Sequence, residues 1–328
     1  MNFFPNILLW FTIMANNREK HVWRYAIRKT LAFAFSLFLI ASLTFFFMKM
    51  APGDPFSEEQ ALRLEVQEAL NRQHGLHRPW FFQYRDYLAD LLKGQPGYSL
   101  KYPGRSVRSI IEEGFPASAR LGLQAIVMAL GFGIFFGILA TLYAHRWQDR
   151  SIFLFTTAGL AVPSFILAAL LQYVFALSLP LLPLARWGTF AHTILPCLAL
   201  AAAPMAFITR LIRTGLLEAM QADYVKLAKA KGLPVHLWLG RHALRNALLP
   251  VLTYLGPLLA NVLVGSFVVE KMFSIPGLGQ WFVNSVASRD YPLIMGLTLF
   301  YSFLLLSAVF LVDLLYGMWD PRIRLMRG

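Results

Sequence analysis

The sequence predicts an all-α polytopic membrane protein, with six transmembrane helices and a small external helical region between the first two spans. Composition is the first reason: of 328 residues, 57% are hydrophobic and only 14% charged, with 28 Phe, far from the balance of a soluble domain. Spacing is the second. Charge-free runs recur at Thr30–Met48, Leu121–Ala144, Ser151–Ala185, Trp187–Thr209, Asn246–Val269 and Tyr291–Val312. Each reaches or nearly reaches the ~20 residues a helix needs to cross the hydrocarbon. The third reason is the placement of basic residues at the ends of these runs.

In chain order, residues 1–29 form an N-terminal segment rich in Arg18, Lys20, Arg24, Arg28 and Lys29. The apolar stretch Asn2–Met14 is too short to span and has neither a basic start nor a small-residue cleavage site, so it is expected at the interface or ahead of the true start. Residues 30–50 make the first span. The region 51–116 is the one sizeable soluble stretch, with eight Lys/Arg against nine Asp/Glu. Within it Ala51-Pro52-Gly53-Asp54-Pro55 is a turn cluster, and Ser57 can cap a helix over 58–73. A second helix starts after Leu76-His77-Arg78-Pro79 and runs to about Lys93, closed by Gly94, Pro96 and Gly97. Residues 117–320 then hold the other five helices, and 321–328 is a tail. Ser151–Ala185 exceeds one straight span; Pro180 and Pro183 mark its outer end as a loop or re-entrant stretch, with the helix stopping near Leu177.

Orientation follows from charge, because short cytoplasmic loops accumulate Lys and Arg. Arg146 and Arg150 lie between the second and third spans, and Arg322, Arg324 and Arg327 follow the last, whereas the short loops opposite hold only Arg186, Lys271 and Arg289. Both termini are therefore expected in the cytoplasm and region 51–116 outside. The net charge of +13 is this topological signal, dispersed at membrane edges rather than gathered on one face, so no nucleic-acid partner is expected. The single Cys197 excludes a disulfide framework and reads as packing.

Between Glu218 and Pro250 the chain reads EAMQADYVKLAKAKGLPVHLWLGRHALRNALLP. Residues 218–231 are rich in good helix formers, and Gly232 followed by Pro234 is a stop-and-restart signal, so two short helices joined by a glycine turn are expected. Seven cations, Arg210, Arg213, Lys226, Lys229, Lys231, Arg241 and Arg245, stand near this loop against Glu218 and Asp223, which places it in the cytosol. An ordinary positive-inside loop would share that charge. The glycine at a helix end fourteen residues after Glu218, with Asn246 and Pro250 at the restart, is more specific. The spacing of Glu218-Ala219, Asp223-Tyr224, Gly232-Leu233, His242, Arg245-Asn246 and Leu249-Pro250 resembles the EAA loop of ABC importer permeases, the coupling helix that docks on an ATPase.

Further motifs resemble the oligopeptide/dipeptide branch of that family across roughly residues 23–325. They are APGDP at 51–55, HGLHRP at 74–79 with Gln83-Tyr84, and VVE at 268–270 followed by PGLG at 276–279. Arg289-Asp290-Tyr291-Pro292, Val312-Asp313-Leu314-Leu315-Tyr316 and Asp320-Pro321-Arg322 complete the set. The chain departs from the pattern at His74-Gly75-Leu76-His77 and at Gly94-Gln95-Pro96-Gly97. The resemblance implies a type I importer fold in a bacterial inner membrane, with the loop 216–248 as the coupling segment. It implies as partners a homologous second permease subunit, two ATP-binding subunits, an extracytoplasmic substrate-binding protein and the lipid bilayer. Glu218, Ala219, Asp223, Tyr224, Ala228, Lys231, Gly232, Leu233, His242, Arg245, Asn246 and Pro250 are the residues it assigns to ATPase coupling.

The chain contains no GxxxxGK[ST] loop and no Gly-Lys dipeptide, so ATP is expected on partner subunits, with no cofactor in this chain. No metal-ligand spacing and no nucleophile, base and acid arrangement occurs among the seven His, so no metal and no enzymatic activity are expected. The apolar runs hold no ionisable group apart from His192, whereas ion-driven carriers need ligands at mid-membrane; a secondary carrier is the weaker alternative, and a membrane enzyme weaker still. Gln124, Gln172, Thr253, Asn261, Ser266 and Glu270 are the candidate pathway or gate residues, though hydrogen bonding between helices suits most of them equally. A short peptide is the expected substrate. The same family branch leaves nickel and glycans open, but Cys197 and His192 stand isolated where a metal ion would want clustered ligands.

Overall fold

A computed structural model describes residues 4–50 and 77–319 of the protein. The turn expected at 51–55, the helix over 58–73 and the tail 321–328 lie outside the described residues, as do the side chains of His242, Asn261, Ser266 and Asp313. The chain divides into two units, Met1–Ala51 and Pro52–Gly328.

The first unit is one helix, α1 (Phe4–Met50), whose apolar portion Ile27–Met50 is long enough to span. Inside that portion the hydroxyls of Ser42 and Thr44 donate to the carbonyls of Phe38 and Ile40, at 2.8 and 2.7 Å. Back-bonding of this kind leaves no polar hydrogen facing lipid.

The second unit contains α2 (Trp80–Leu92), α3 (Val107–Leu142), α4 (Trp147–Ala161), α5 (Ser164–Gln172), α6 (Ala191–Gln221), α7 (Asp223–Ala230), α8 (Val235–Leu237), α9 (Arg245–Met272), α10 (Leu278–Ala287) and α11 (Tyr291–Trp319). Among the described residues, α1, α3, α6 and α11 are each long and apolar enough to cross a membrane. The α4–α5 pair makes a fifth if it counts as one span, and α9, with 28 residues, has the length expected of the sixth.

Two helix boundaries differ from the sequence expectation. α3 starts at Val107, capped by the Ser106 hydroxyl, which accepts from the Ser109 amide at 3.0 Å. The helix runs through Pro116, so the last ten residues of the stretch 51–116 are already helical. Helix in the third run ends at Ser178, close to the Leu177 expected, but it is not one continuous helix. It breaks at Val162-Pro163 with a bend of 107°, then continues through α5 into a π-helical turn over Tyr173–Ser178. Val162 is extended, ψ 124°, as a residue before proline prefers, and Pro163 offers no amide to carry the helix on.

The core is built on α3 and α6. Leu121, Ala125, Ala129, Gly133, Gly137 and Thr141 recur every four residues along one face of α3, and all are buried. A Cβ on Gly133 or Gly137 would stand 2.8 or 2.6 Å from the Cβ of Ile208 or Ile212, so absent side chains set how closely these helices approach. In lipid, where apolar burial drives little helix association, such close packing is what holds two helices together. The turn before α4 is pinned to α6 by Asp149, whose carboxylate accepts two bonds of 2.7 Å from the Arg213 guanidinium and one of 3.0 Å from the His145 amide. His145 itself has φ 66°, a conformation this anchoring maintains.

Candidate functional site

α6 ends at Gln221, Ala222 turns into extended backbone (ψ 145°), and α7 leaves at an angle that begins the loop. Its end is a two-bond glycine cap: Gly232, at φ 74°, donates to the Lys229 carbonyl at 2.9 Å, and Leu233 donates to the Ala228 carbonyl at 3.3 Å. Nothing lies within 4 Å of where a Gly232 Cβ would project, so glycine is required there by φ rather than by space. Pro234 then opens α8, which passes through a π-helical turn, Trp238–Leu244, into α9.

One side of α7 is buried: Val225 and Ala228 pack in the same core as Trp238, Ala243 and Ala247. The Lys229 ammonium sits 4.3 Å from the Trp238 ring centroid, which ties the two halves of the loop. Where the loop returns to the membrane, a Cβ on Gly215 would approach the Ala247 Cα to 3.0 Å, so α6 and α9 cross almost in contact. The opposite side is open. Tyr224, Leu227, Val235 and Leu237 are all exposed, Leu227 at 57%, among the exposed cations Lys226, Lys229 and Lys231.

The residues expected from the sequence occupy this loop as follows. Glu218 is exposed and Ala219 buried in the last turn of α6. Asp223 opens α7 and pairs with Lys226 at 3.1 Å. Tyr224 and Asn246, 22 residues apart, are brought together, the amide donating to the phenol oxygen at 2.7 Å. Ala228 and Leu233 face inward, while Lys231, Gly232, Arg245 and Pro250 are exposed. Sequence reasoning missed Leu227 and Trp238, and read Lys229 only as one of the loop's cations. The i, i+3 pair Val225 and Ala228 was the available signal, since it fixes which side of α7 turns outward.

The candidate pathway residues scatter. Gln124 on α3 accepts from the Cys197 thiol of α6 at 3.8 Å, and the same thiol reaches the Leu121 carbonyl at 3.6 Å, so Cys197 bridges two helices. Gln172 donates to the carbonyls of Leu184 (2.9 Å) and Met272 (3.4 Å), holding a loop to the end of α9. Thr253 bonds back to Leu249 within its own helix. Glu270, 0% exposed, accepts from the Gly279 amide at 2.7 Å, and the Ser118 hydroxyl of α3 accepts from Leu278 at 2.9 Å. These two side chains cap the N-terminus of α10, a role in which Glu270 is structural. A Cβ on Gly277 would stand 2.5 Å from the Ser118 Oγ and closer still to Glu270, so the PGLG turn is glycine for want of room.

A second buried carboxylate completes this end. Asp290, the N-cap of α11, is 0% exposed; it accepts from the Ser99 hydroxyl, from Leu100 at 3.1 Å and from Lys101 at 3.4 Å. The loop between α2 and α3 is thus clasped to α11. No sequence signal joins Ser99 to Asp290 across 191 positions.

Fold and loop together define a multi-pass α-helical membrane protein that presents a small apolar and basic helix between two of its spans. The chain belongs to the family of binding-protein-dependent transport system inner membrane components, whose sequence model matches residues 133–325. It is 46% identical over 302 residues to the dipeptide transport system permease protein DppB of Bacillus subtilis, covering 92% of this chain and 98% of that one. To the oligopeptide transport system permease protein OppB of Salmonella typhimurium it is 38% identical over 303 residues, 92% of this chain and 99% of that one.

Proposed function

We propose that the chain is the transmembrane permease subunit of an ATP-driven importer of di- and oligopeptides in a bacterial inner membrane. The observation that carries the substrate class is its identity of 46% over 92% of its length to a dipeptide transport permease. In this reading a homologous permease subunit supplies the other half of the path, two further subunits bind ATP, and an extracytoplasmic protein delivers peptide. Both termini and the 218–250 loop then lie in the cytoplasm, in keeping with the basic residues there.

The coupling role rests on α7. Its outward face offers Tyr224 and Leu227 to an apolar cleft, and the surrounding lysines favour an acidic rim on the ATPase. Closure of an ATPase pair would carry α7 with it, and α6 and α9, nearly touching at Gly215 and Ala247, would transmit the tilt as a rigid-body movement. Leu227→Asp tests this. The side chain is exposed, so folding is unaffected, while substrate-stimulated ATP hydrolysis by the assembled complex is expected to fall to its basal level; undiminished stimulation removes the coupling role. The substrate is tested by ATP-dependent uptake of labelled di- to pentapeptides into vesicles holding the complete complex and its binding protein, with nickel and oligosaccharides as comparisons. Saturable peptide uptake is expected, and uptake of a comparison ligand alone rejects the peptide assignment.

A further inference from the structure

α2, like α10, lies off the spans and the loop, and unlike α10 it has no buried residue. At ~100° per residue, Phe81, Leu88 and Leu92 fall on one line along it, while Asp86, Asp90 and Lys93 share the far side. Phe81 is 72% and Leu92 91% exposed, and Leu88 between them is half-buried. Arg85 stands at the edge of the apolar line, within about 40° of Phe81, and its guanidinium turns away to Asp86, which bonds Arg78 and Arg85 at 2.8 and 3.0 Å. An aromatic, leucine-bearing face this open needs an apolar surface to rest against.

The position of α2 indicates which surface. Its C-terminal connector is fixed to the last span: a Cβ on Gly97 would meet Pro292 at 3.7 Å, and one on Gly296 would meet Pro96 at 3.5 Å and also Val107. The Val107 amide donates to the Gly97 carbonyl at 3.0 Å, so the start of α3 is held at the same level. Gly296 lies about a turn and a half inside the apolar segment Tyr291–Val312 of α11. Pro96 is four Cα–Cα steps beyond Leu92, a reach of at most about 14 Å. The end of α2 is therefore tethered within a headgroup layer's distance of the hydrocarbon edge, where Trp and Phe concentrate.

We propose that α2 is an interfacial helix, lying along the membrane with Phe81, Leu88 and Leu92 turned into the acyl-chain boundary and Asp86 and Asp90 toward water. The fit is to a lipid surface rather than to a protein groove, because the connector after Leu92 packs on Pro292 and Gly296 at the end of the apolar segment of α11. Such helices bury their apolar face about 5–10 Å deep. A helix so seated would fix the outer loop between α2 and α3 at a constant height above the bilayer. The inference rests on the membrane placement of α11, not on the import reading, so either can fail without the other.

The test places single cysteines at Phe81, Leu92, Asp90 and Lys93 in a Cys197→Ala background. Each is labelled with bimane in the purified complex, its partner subunits freed of cysteine, and reconstituted in nanodiscs open to both faces. Quenching by dibrominated phosphatidylcholine is expected to be at least about threefold greater at Phe81 and Leu92 than at Asp90 and Lys93, with aqueous iodide giving the reverse order. Leu92 is almost wholly exposed, so its substitution leaves packing intact and that position alone decides the result if Phe81→Cys fails to assemble. Equal iodide quenching at all positions overturns the proposal. So does shielding of Phe81 and Leu92 that develops only when an extracytoplasmic binding protein is added, since that outcome identifies a protein-docking face.

Discussion

The loop at 218–250 and the clasp at the other end of the second unit are both built from glycine turns and short helices, yet they are held in opposite ways. In the clasp, carboxylates with no solvent exposure accept backbone and hydroxyl protons: Asp290 those of Ser99 and Leu100, 191 and 190 positions away, and Glu270 that of Gly279 at the start of the next helix. In the loop, the cap of α7 is local, the ion pair Asp223–Lys226 is exposed, and apolar side chains remain uncovered. Buried hydrogen bonds make a region that cannot change partners cheaply. Local caps with an open apolar face make one that keeps its own shape while offering a surface to something else.

The largest effect is expected at Asp290. Asp290→Ala leaves the Ser99 hydroxyl and the Leu100 amide without their acceptor inside a closed site, and orphaned buried donors cost about 1–3 kcal/mol each. A loss of about 3 kcal/mol or more is expected, read as a lower thermal transition of the purified complex and as protease cleavage between Lys93 and Arg105. Asp290→Asn retains one acceptor oxygen and should fall between. An unchanged transition for Asp290→Ala would mean the clasp does not hold the loop.

The two motif glycines separate the regions more finely. Gly277→Ala forces a methyl onto the Ser118 hydroxyl and the Glu270 carboxylate, so overpacking of about 1–3 kcal/mol is expected, with the capping bonds to α10 lost as well. Gly232→Ala meets no atom and pays only the left-handed φ of 74°, about 1–2 kcal/mol, and Gly232→Asn should recover most of it. Thermal unfolding of the three variants checks the order, and a Gly232→Ala loss greater than that of Gly277→Ala would reverse the assignment of φ and space.

Legibility in the sequence follows the same division. The all-α fold and the helix–glycine–helix loop were readable because their signals are contiguous: apolar runs, a helix-forming stretch, Gly232 and Pro234. Tyr224 and Asn246 were singled out through motif spacing, and only the fold shows that they bond to each other. The clasp was hidden because one buried carboxylate looks like any other polar residue until the chain returns to it. Proline is an uneven guide: Pro180 and Pro183 lie in the loop beyond a helix that ends at Ser178, as expected, whereas Pro116, the end of the region 51–116, sits inside α3 and Pro163, within an apolar run, breaks the third span. Whether proline breaks a helix depends on neighbours that can re-satisfy the freed carbonyl, and those are tertiary.

The smallest effect is expected at Asp223, whose comparison with Asp290 isolates burial from chemistry. Both are aspartates at the start of a helix, and both accept bonds from the chain around them. Asp223, however, has a side chain 98% exposed, and its partner Lys226 is 64% exposed, so water and salt already replace most of what the pair supplies. Asp223→Ala should change stability by no more than about 0.5 kcal/mol, and less as salt is raised. Thermal unfolding at low and high salt measures it. A loss approaching that of Asp290→Ala would show that the loop, like the clasp, is already closed against a partner in the assembled complex, and that α7 is gripped through its acidic end as well as through Leu227.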